Sequence, residues 1–264
     1  RYTRGVNSYL YLASSISKNT QFVSVSKPFK FKEFTIAQDQ CAMKIGTDGV
    51  LLGAWAHIAN FPNSILDIGT GTGVIALMLA QRCDAEIIDG LELDDNAYEQ
   101  AVANFENSPW GDRLFCYHAH LYEFATEIED KYDLIVCNPP FFEGGSNPDD
   151  EKNTAREKAR FEESMPFELL AASASHLLNP EGLFCVIIPK LRETELLEYA
   201  NQAGLHPTQI TSVKGNANVS AKRSLITLTK TTTECLHTTL TIEIERHIYT
   251  KEYQDLVKDF YLKM

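Results

Sequence analysis

Asp67-Ile68-Gly69-Thr70-Gly71-Thr72-Gly73 joins a short apolar run, Ser64–Ile68, to a longer one, Val74–Arg82. The first reads as a buried strand and the second as a helix, so the glycine-rich stretch is a strand-to-helix turn. Its glycines let the backbone bend sharply and approach a ligand closely. The helix start adds N–H groups that have no partner inside the helix. A dinucleotide site aims such donors at a pyrophosphate. Here the acid Asp67 sits inside the turn, where a pyrophosphate would be repelled. S-adenosylmethionine carries an ammonium and a sulfonium and no phosphate, and it suits this turn better than a dinucleotide.

Outward from the turn, apolar runs alternate with helical ones. Glu86–Leu91 reads as a second strand, Asp95–Asn107 as a helix with Asp94 or Asp95 as N-cap, and Arg113–Tyr117 as a third strand. Tyr132–Cys137 reads as a fourth strand. Pro166–Leu178 is helical, Gly182–Ile188 is a fifth strand, and Glu193–Ala203 is a helix ended by Gly204. His206–Val213 and Ser224–Lys230 read as two more strands with no long helix between them. Strands separated by helices predict a mostly parallel sheet, here seven-stranded with the last strand antiparallel. In such sheets ligands sit at the carboxyl ends of the strands. Glu92 ends the second strand, where a carboxylate can accept both ribose hydroxyls. With Gly69, Gly71, Gly73 and Asp67 it completes a nucleoside cradle. The alternative for each is plain: a tight turn and a solvated acid.

The fourth strand stops at Asn138-Pro139-Pro140-Phe141. Two prolines fix the backbone and remove two donors. The acceptors that remain are the Asn138 side-chain oxygen and the Pro139 carbonyl. A planar NH₂ has two hydrogens to give, so the turn can hold one with its lone pair aimed at a sulfonium methyl. Phe141 offers a ring on which a base can stack. Taken alone, the same four residues make a rigid turn that closes a strand. Cys137 just before it could be a nucleophile, but its apolar run favours a buried thiol.

Together these residues resemble class I methyltransferases that modify amino nitrogens, on a Rossmann-like fold. A closer resemblance lies upstream, in Phe34-Thr35-Ile36-Ala37-Gln38-Asp39 and in the block from Cys41 to Trp55, above all Lys44-Ile45-Gly46-Thr47-Asp48-Gly49-Val50-Leu51-Leu52-Gly53-Ala54-Trp55. With Ser108-Pro109-Trp110 and Phe260-Tyr261-Leu262, it is similar to the bacterial tRNA (adenine-N6)-methyltransferases that act on the adenosine 3′ of the anticodon of a valine tRNA. The resemblance runs from about residue 29 to the C-terminus. It implies adenosylmethionine as cofactor, tRNA as substrate, and Thr47 and Asp48 over the methionine end of the cofactor. Asp48 is equally suited to capping the helix that follows it. Two positions depart from the family. Phe141 and Phe142 stand where the turn usually ends in tyrosine. His120 stands where many relatives use an aspartate for the cofactor adenine, and an imidazole accepts a hydrogen there only as the right neutral tautomer.

Composition bounds the rest. The net charge of −12 disfavours broad nucleic-acid binding, so a tRNA substrate requires a local basic surface. Lys30, Lys32, Lys152, Arg156, Lys222 and Arg223 are candidates for it. The six cysteines form no C-x-x-C pair and read as free thiols of a reducing cytoplasm, with no metal site. No run of about 18 apolar residues is present, so no membrane span is expected. Residues 1–25 are serine-rich and lack acids, and are expected to form a flexible extension before a catalytic domain at 26–264. Segment 143–163 reads as a mobile loop and Thr250–Met264 as a C-terminal helix. A monomer is expected. A protein methyltransferase acting on a glutamine side-chain amide would use the same turn, because that amide also presents a planar NH₂. A non-catalytic binding module on the same fold is the third reading.

Overall fold

A computed structural model describes residues 27–41, 43–140 and 165–264. The expected extension at 1–25, the loop at 143–163, Phe141, Lys152 and Arg156 lie outside these residues. Ser64–Ile68 (β3) is an interior strand, third from one edge of a nine-stranded sheet. Its last four residues are buried, as an unalternating apolar run requires when helices cover both faces. On one side of β3 lie Ile87–Glu92 (β4) and then Leu114–His118 (β5), both parallel. On the other lie Tyr132–Cys137 (β6) and Leu178–Pro189 (β7), also parallel. Arg223–Thr229 (β9) runs antiparallel between β7 and His206–Asn216 (β8). These are the seven expected strands, with the expected reversed last strand inserted one place in from β8.

Two further strands were not anticipated. Leu236–Glu245 (β10) pairs parallel with β8, and Ile248–Tyr249 (β11) folds back antiparallel on it. Most of β10 is exposed, with Leu240 its one buried residue, so its threonine-rich sequence carries a weak apolar signal. A short hairpin of Phe29–Lys30 (β1) and Thr35–Ile36 (β2) stands apart from the main sheet.

Helices cover both faces. Thr47–Trp55 (α1), Val74–Arg82 (α2), Asp95–Glu106 (α3) and Lys251–Val257 (α7) contribute to one apolar layer. Leu121–Glu127 (α4), Phe167–Leu177 (α5) and Glu193–Gln202 (α6) build the other. The C-terminal helix is shorter than expected. Beyond Val257 the chain turns, the Phe260 carbonyl accepts from Lys32 N at 2.9 Å, and Tyr261 bridges to Phe31. Phe260 is buried in the same core as Phe31 and Phe34, where further helical turns were expected. The described cysteines are free, and Cys137 and Cys185 are fully buried. Burial pushes the Cys137 thiol well above its ordinary range, which removes it as a nucleophile.

Candidate active site

The parallel strands bring Asp67, Glu92 and Asn138 to one end of the sheet. Register pairs Ile68 with both Leu91 and Cys137, so the glycine turn lies between the ends of β4 and β6. Gly69 N and Thr70 N donate to Leu91 O at 2.8 and 3.0 Å, which folds the turn over β4. Gly69, Gly71 and Gly73 all have positive φ, at 70°, 56° and 80°. Gly73 begins α2, and a Cβ there would stand 2.5 Å from Phe105 Cε1. A Cβ on Gly71 would meet nothing within 4 Å, so the turn is open above that residue.

Asp67 is fully buried. Its Oδ2 accepts from Thr70 Oγ1 at 2.7 Å and from Ala76 N at 3.3 Å, bracing the turn against the first turn of α2. Its Oδ1 has no partner among the described residues. Burial pushes this carboxyl up to about 7, against the lowering effect of those two donors. A buried acid with an orphaned oxygen under an open turn fits a ligand that brings positive charge.

Glu92 is placed as expected but is more occupied than a free ribose acceptor. Its Oε2 accepts from Gly71 N at 2.8 Å, and its Oε1 accepts from Leu93 N and Asp94 N at 2.9 and 3.0 Å. A carboxylate offers about four acceptor positions, so three backbone donors leave one free. A second ribose hydroxyl would take the position now held by Gly71 N–H.

Asn138 and Pro140 are half-buried and Pro139 is buried at the end of β6. Gly49 faces this turn: a Cβ on it would lie 4.0 Å from Asn138 Nδ2 and 3.3 Å from Val74 Cγ1. The start of α1 therefore borders both the glycine turn and the Asn-Pro-Pro turn. Thr47 and Asp48 sit on that border. The N-cap of α1 is Gly46, with no side-chain cap. Asp48 therefore does not cap the helix. Its Oδ2 accepts from Arg223 Nε at 2.7 Å instead. Thr47 is exposed, and its side chain makes no hydrogen bond among the described residues.

His120 caps α4, its Nδ1 accepting from Tyr122 N at 3.1 Å. That contact assigns the ring proton to Nε2, a donor, so the ring cannot accept from an adenine amino group as an aspartate would.

Several residues that shape the site were not singled out from sequence. Asn104 of α3 donates from Nδ2 to Ala37 O and Thr72 O and accepts Ala37 N at Oδ1, all at 2.9 Å. Gln100, one helical turn earlier, accepts Gln40 N at 3.1 Å. Two buried amides on one face of α3 thus tie residues 37–40 to the glycine turn; their i, i+4 spacing is the signal that could have found them. Away from the site, Tyr132 at the start of β6 donates to Asp89 Oδ2 of β4 at 2.7 Å.

The basic residues expected beside the cleft divide. Lys30 and Lys32 are exposed on the β1–β2 hairpin. Lys222 and Arg223 lie at the start of β9, on the rim, because Arg223 pairs with Pro189 at the end of β7. Among the described residues no group of acids, histidines and cysteines could hold a metal ion. No described helix is long and apolar enough to cross a membrane.

Comparison with known proteins agrees with this geometry. The family model of the methyltransferase small domain matches residues 49–202. The tRNA1(Val) (adenine(37)-N6)-methyltransferase of Christiangramia forsetii is 57% identical over 90% of this chain and 99% of its own length. The protein of the same name from Bacteroides fragilis is 43% identical over 91% of this chain and its whole length. A predicted O-methyltransferase from Agrobacterium tumefaciens, at 20% identity and a TM-score of 0.62, shares the fold over 81% of this chain and 96% of its own. With the glycine turn and the Asn-Pro-Pro turn at adjacent strand ends, these likenesses place the chain in the tRNA1(Val) (adenine(37)-N6)-methyltransferase family of S-adenosylmethionine-dependent enzymes.

Proposed function

We propose that this protein methylates the exocyclic N6 of an adenosine in the anticodon loop of a valine tRNA, with Asn138-Pro139-Pro140 as its amino-group holder. The observation that carries the reading is the position of Asn138: it ends the strand beside the glycine turn and abuts the start of α1. Bound in this crevice, adenosylmethionine supplies an electrophilic methyl group on its sulfonium. The chain's own part is to orient the acceptor. Asn138 Oδ1 takes one N6 hydrogen and the Pro139 carbonyl takes the other, which turns the nitrogen lone pair toward the methyl. Both hydrogen bonds strengthen as nitrogen gains positive charge during transfer, and the methylated nitrogen then releases one of its two protons to solvent. Phe141 supplies the stacking face for the unstacked base. The glycine turn with Asp67 cradles the cofactor, Glu92 receives its ribose, and Thr47 and Asp48 border its methionine end.

The same proposal includes a 26–264 catalytic domain preceded by an extension, a monomeric enzyme, and a cytoplasmic site of action where tRNA is modified and free thiols persist. The test uses labelled adenosylmethionine and unmodified valine tRNA. Wild-type protein should label N6 of the adenosine 3′ of the anticodon. Asn138→Ala should lose transfer by at least about 100-fold while keeping cofactor affinity within a few-fold. Label on a glutamine of a release factor and none on tRNA would overturn the substrate. Loss of cofactor binding in Asn138→Ala would overturn the role of Asn138.

A further inference from the structure

The Asp48–Arg223 pair ties the start of α1 to the start of β9. Asp48 is in the first turn of α1, next to the glycine that faces Asn138 and Val74. Arg223 arrives from the sheet, carried to the same rim because β9 runs against β7. The two meet through a single contact, Nε to Oδ2 at 2.7 Å, with side chains 27% and 29% exposed. A water-accessible pair joined by a single contact contributes modestly to stability, so fold maintenance is a weak reason for it. Its unused groups are more telling. Arg223 Nη1 donates to Lys222 O, while its Nη2 and the Asp48 Oδ1 meet no partner among the described residues. A guanidinium fork and a carboxylate oxygen therefore stand side by side at the end of the crevice that borders the methyl-transfer turn.

An α-amino acid presents the mirror of that arrangement, a carboxylate beside an ammonium. We propose that Arg223 is a cofactor-binding residue that holds the α-carboxylate of adenosylmethionine, while Asp48, kept in place by Arg223 Nε, takes the α-ammonium. Guanidinium suits this task because its donors form a rigid fork matched to a carboxylate. The pair is neutral overall and meets a neutral zwitterion, so the sulfonium remains the cofactor's net charge. Arg223 is thereby withdrawn from the basic residues available to tRNA. The inference rests on adenosylmethionine occupying this crevice, but not on the identity of the methyl acceptor.

Titration calorimetry with three nucleosides tests it without turnover. Adenosylmethionine carries ammonium and carboxylate, decarboxylated adenosylmethionine the ammonium alone, and 5′-methylthioadenosine neither. Arg223→Ala should weaken adenosylmethionine by about 10- to 100-fold, the loss of a charge-assisted contact. It should leave methylthioadenosine unchanged and weaken decarboxylated adenosylmethionine by only a few-fold, since that ligand loses the positioning of Asp48 but no carboxylate contact. Arg223→Lys should fall between wild type and alanine. Asp48→Asn should weaken both ammonium-bearing ligands and spare methylthioadenosine. Equal weakening of all three by Arg223→Ala would show that Arg223 only props α1, and would overturn the proposal. An unchanged adenosylmethionine affinity would also overturn it, placing the carboxylate elsewhere. If wild-type protein binds none of the three, the cofactor reading falls together with it.

Discussion

Asn104 makes the strongest quantitative claim about how the site is held. Its side chain is 4% exposed and uses its whole amide, joining Ala37 to Thr72 of the glycine turn. Asn104→Ala removes three hydrogen bonds. The Thr72 carbonyl is buried and is left with no replacement, at about 1–3 kcal/mol; the two bonds to the half-buried Ala37 are worth about 1 kcal/mol each because water can reach them. The expected loss is therefore roughly 3–5 kcal/mol, a large part of a typical domain's stability of about 5–15 kcal/mol. Asn104→Asp sharpens the test. One oxygen still accepts Ala37 N, but the other is forced against two carbonyl oxygens. At pH 8 this variant should be no more stable than the alanine variant. The introduced carboxyl binds its proton more tightly in the folded protein than in the unfolded chain. Its stability should therefore recover as the pH falls through its raised folded value toward about 4. Urea unfolding followed by circular dichroism at several pH values measures all of this. A loss below about 1 kcal/mol for Asn104→Ala, or wild-type stability for Asn104→Asp at pH 8, would refute the clamp.

Three further outcomes follow from the turn. Gly73→Ala places a methyl 2.5 Å from Phe105 Cε1 at a φ of 80°, and denaturation should show a loss of roughly 2–5 kcal/mol from backbone strain and overpacking combined. Gly71→Ala meets open space, so it should cost only about 1–2 kcal/mol of stability through its φ. The new methyl faces the crevice, however, and should weaken adenosylmethionine in calorimetry more than Gly73→Ala does at equal folded fraction. Burial lets Asp67 hold a proton in the folded protein up to about pH 7, whereas the unfolded chain releases it near the ordinary carboxyl value of 3.8. Its raised value therefore makes stability fall as pH rises from about 4 to about 7, by up to about 4 kcal/mol. Asp89, raised to about 6 by burial, adds a similar slope in both proteins. The wild-type minus Asp67→Asn difference isolates Asp67, and a flat difference across that range would count against its buried, unpartnered state.

The sequence by itself determined the features that neighbouring residues decide. A glycine turn after an apolar run announces a strand, a bend and a helix start within ten residues, because glycine conformation and hydrophobic period are local properties. The same holds for Asn138-Pro139-Pro140, where two prolines dictate the turn. The alternation of runs implies a parallel sheet, and a parallel sheet brings its strand ends together, so Asp67, Glu92 and Asn138 fall in one crevice. Tertiary structure decided what those groups touch. Asp48 and Arg223 are 175 residues apart and meet only because β9 runs against β7. Asn104 reaches Ala37 across 67 residues. Glu92 spends three of its acceptor positions on backbone amides that no motif reveals. The strand Leu236–Glu245 exists because β8 leaves an open edge, and its alternation of Leu240, Ile242 and Ile244 with polar residues was too exposed to stand out. Local chemistry is written along the chain, whereas hydrogen-bond partners and sheet edges depend on which distant segments the fold brings within about 3 Å of each other.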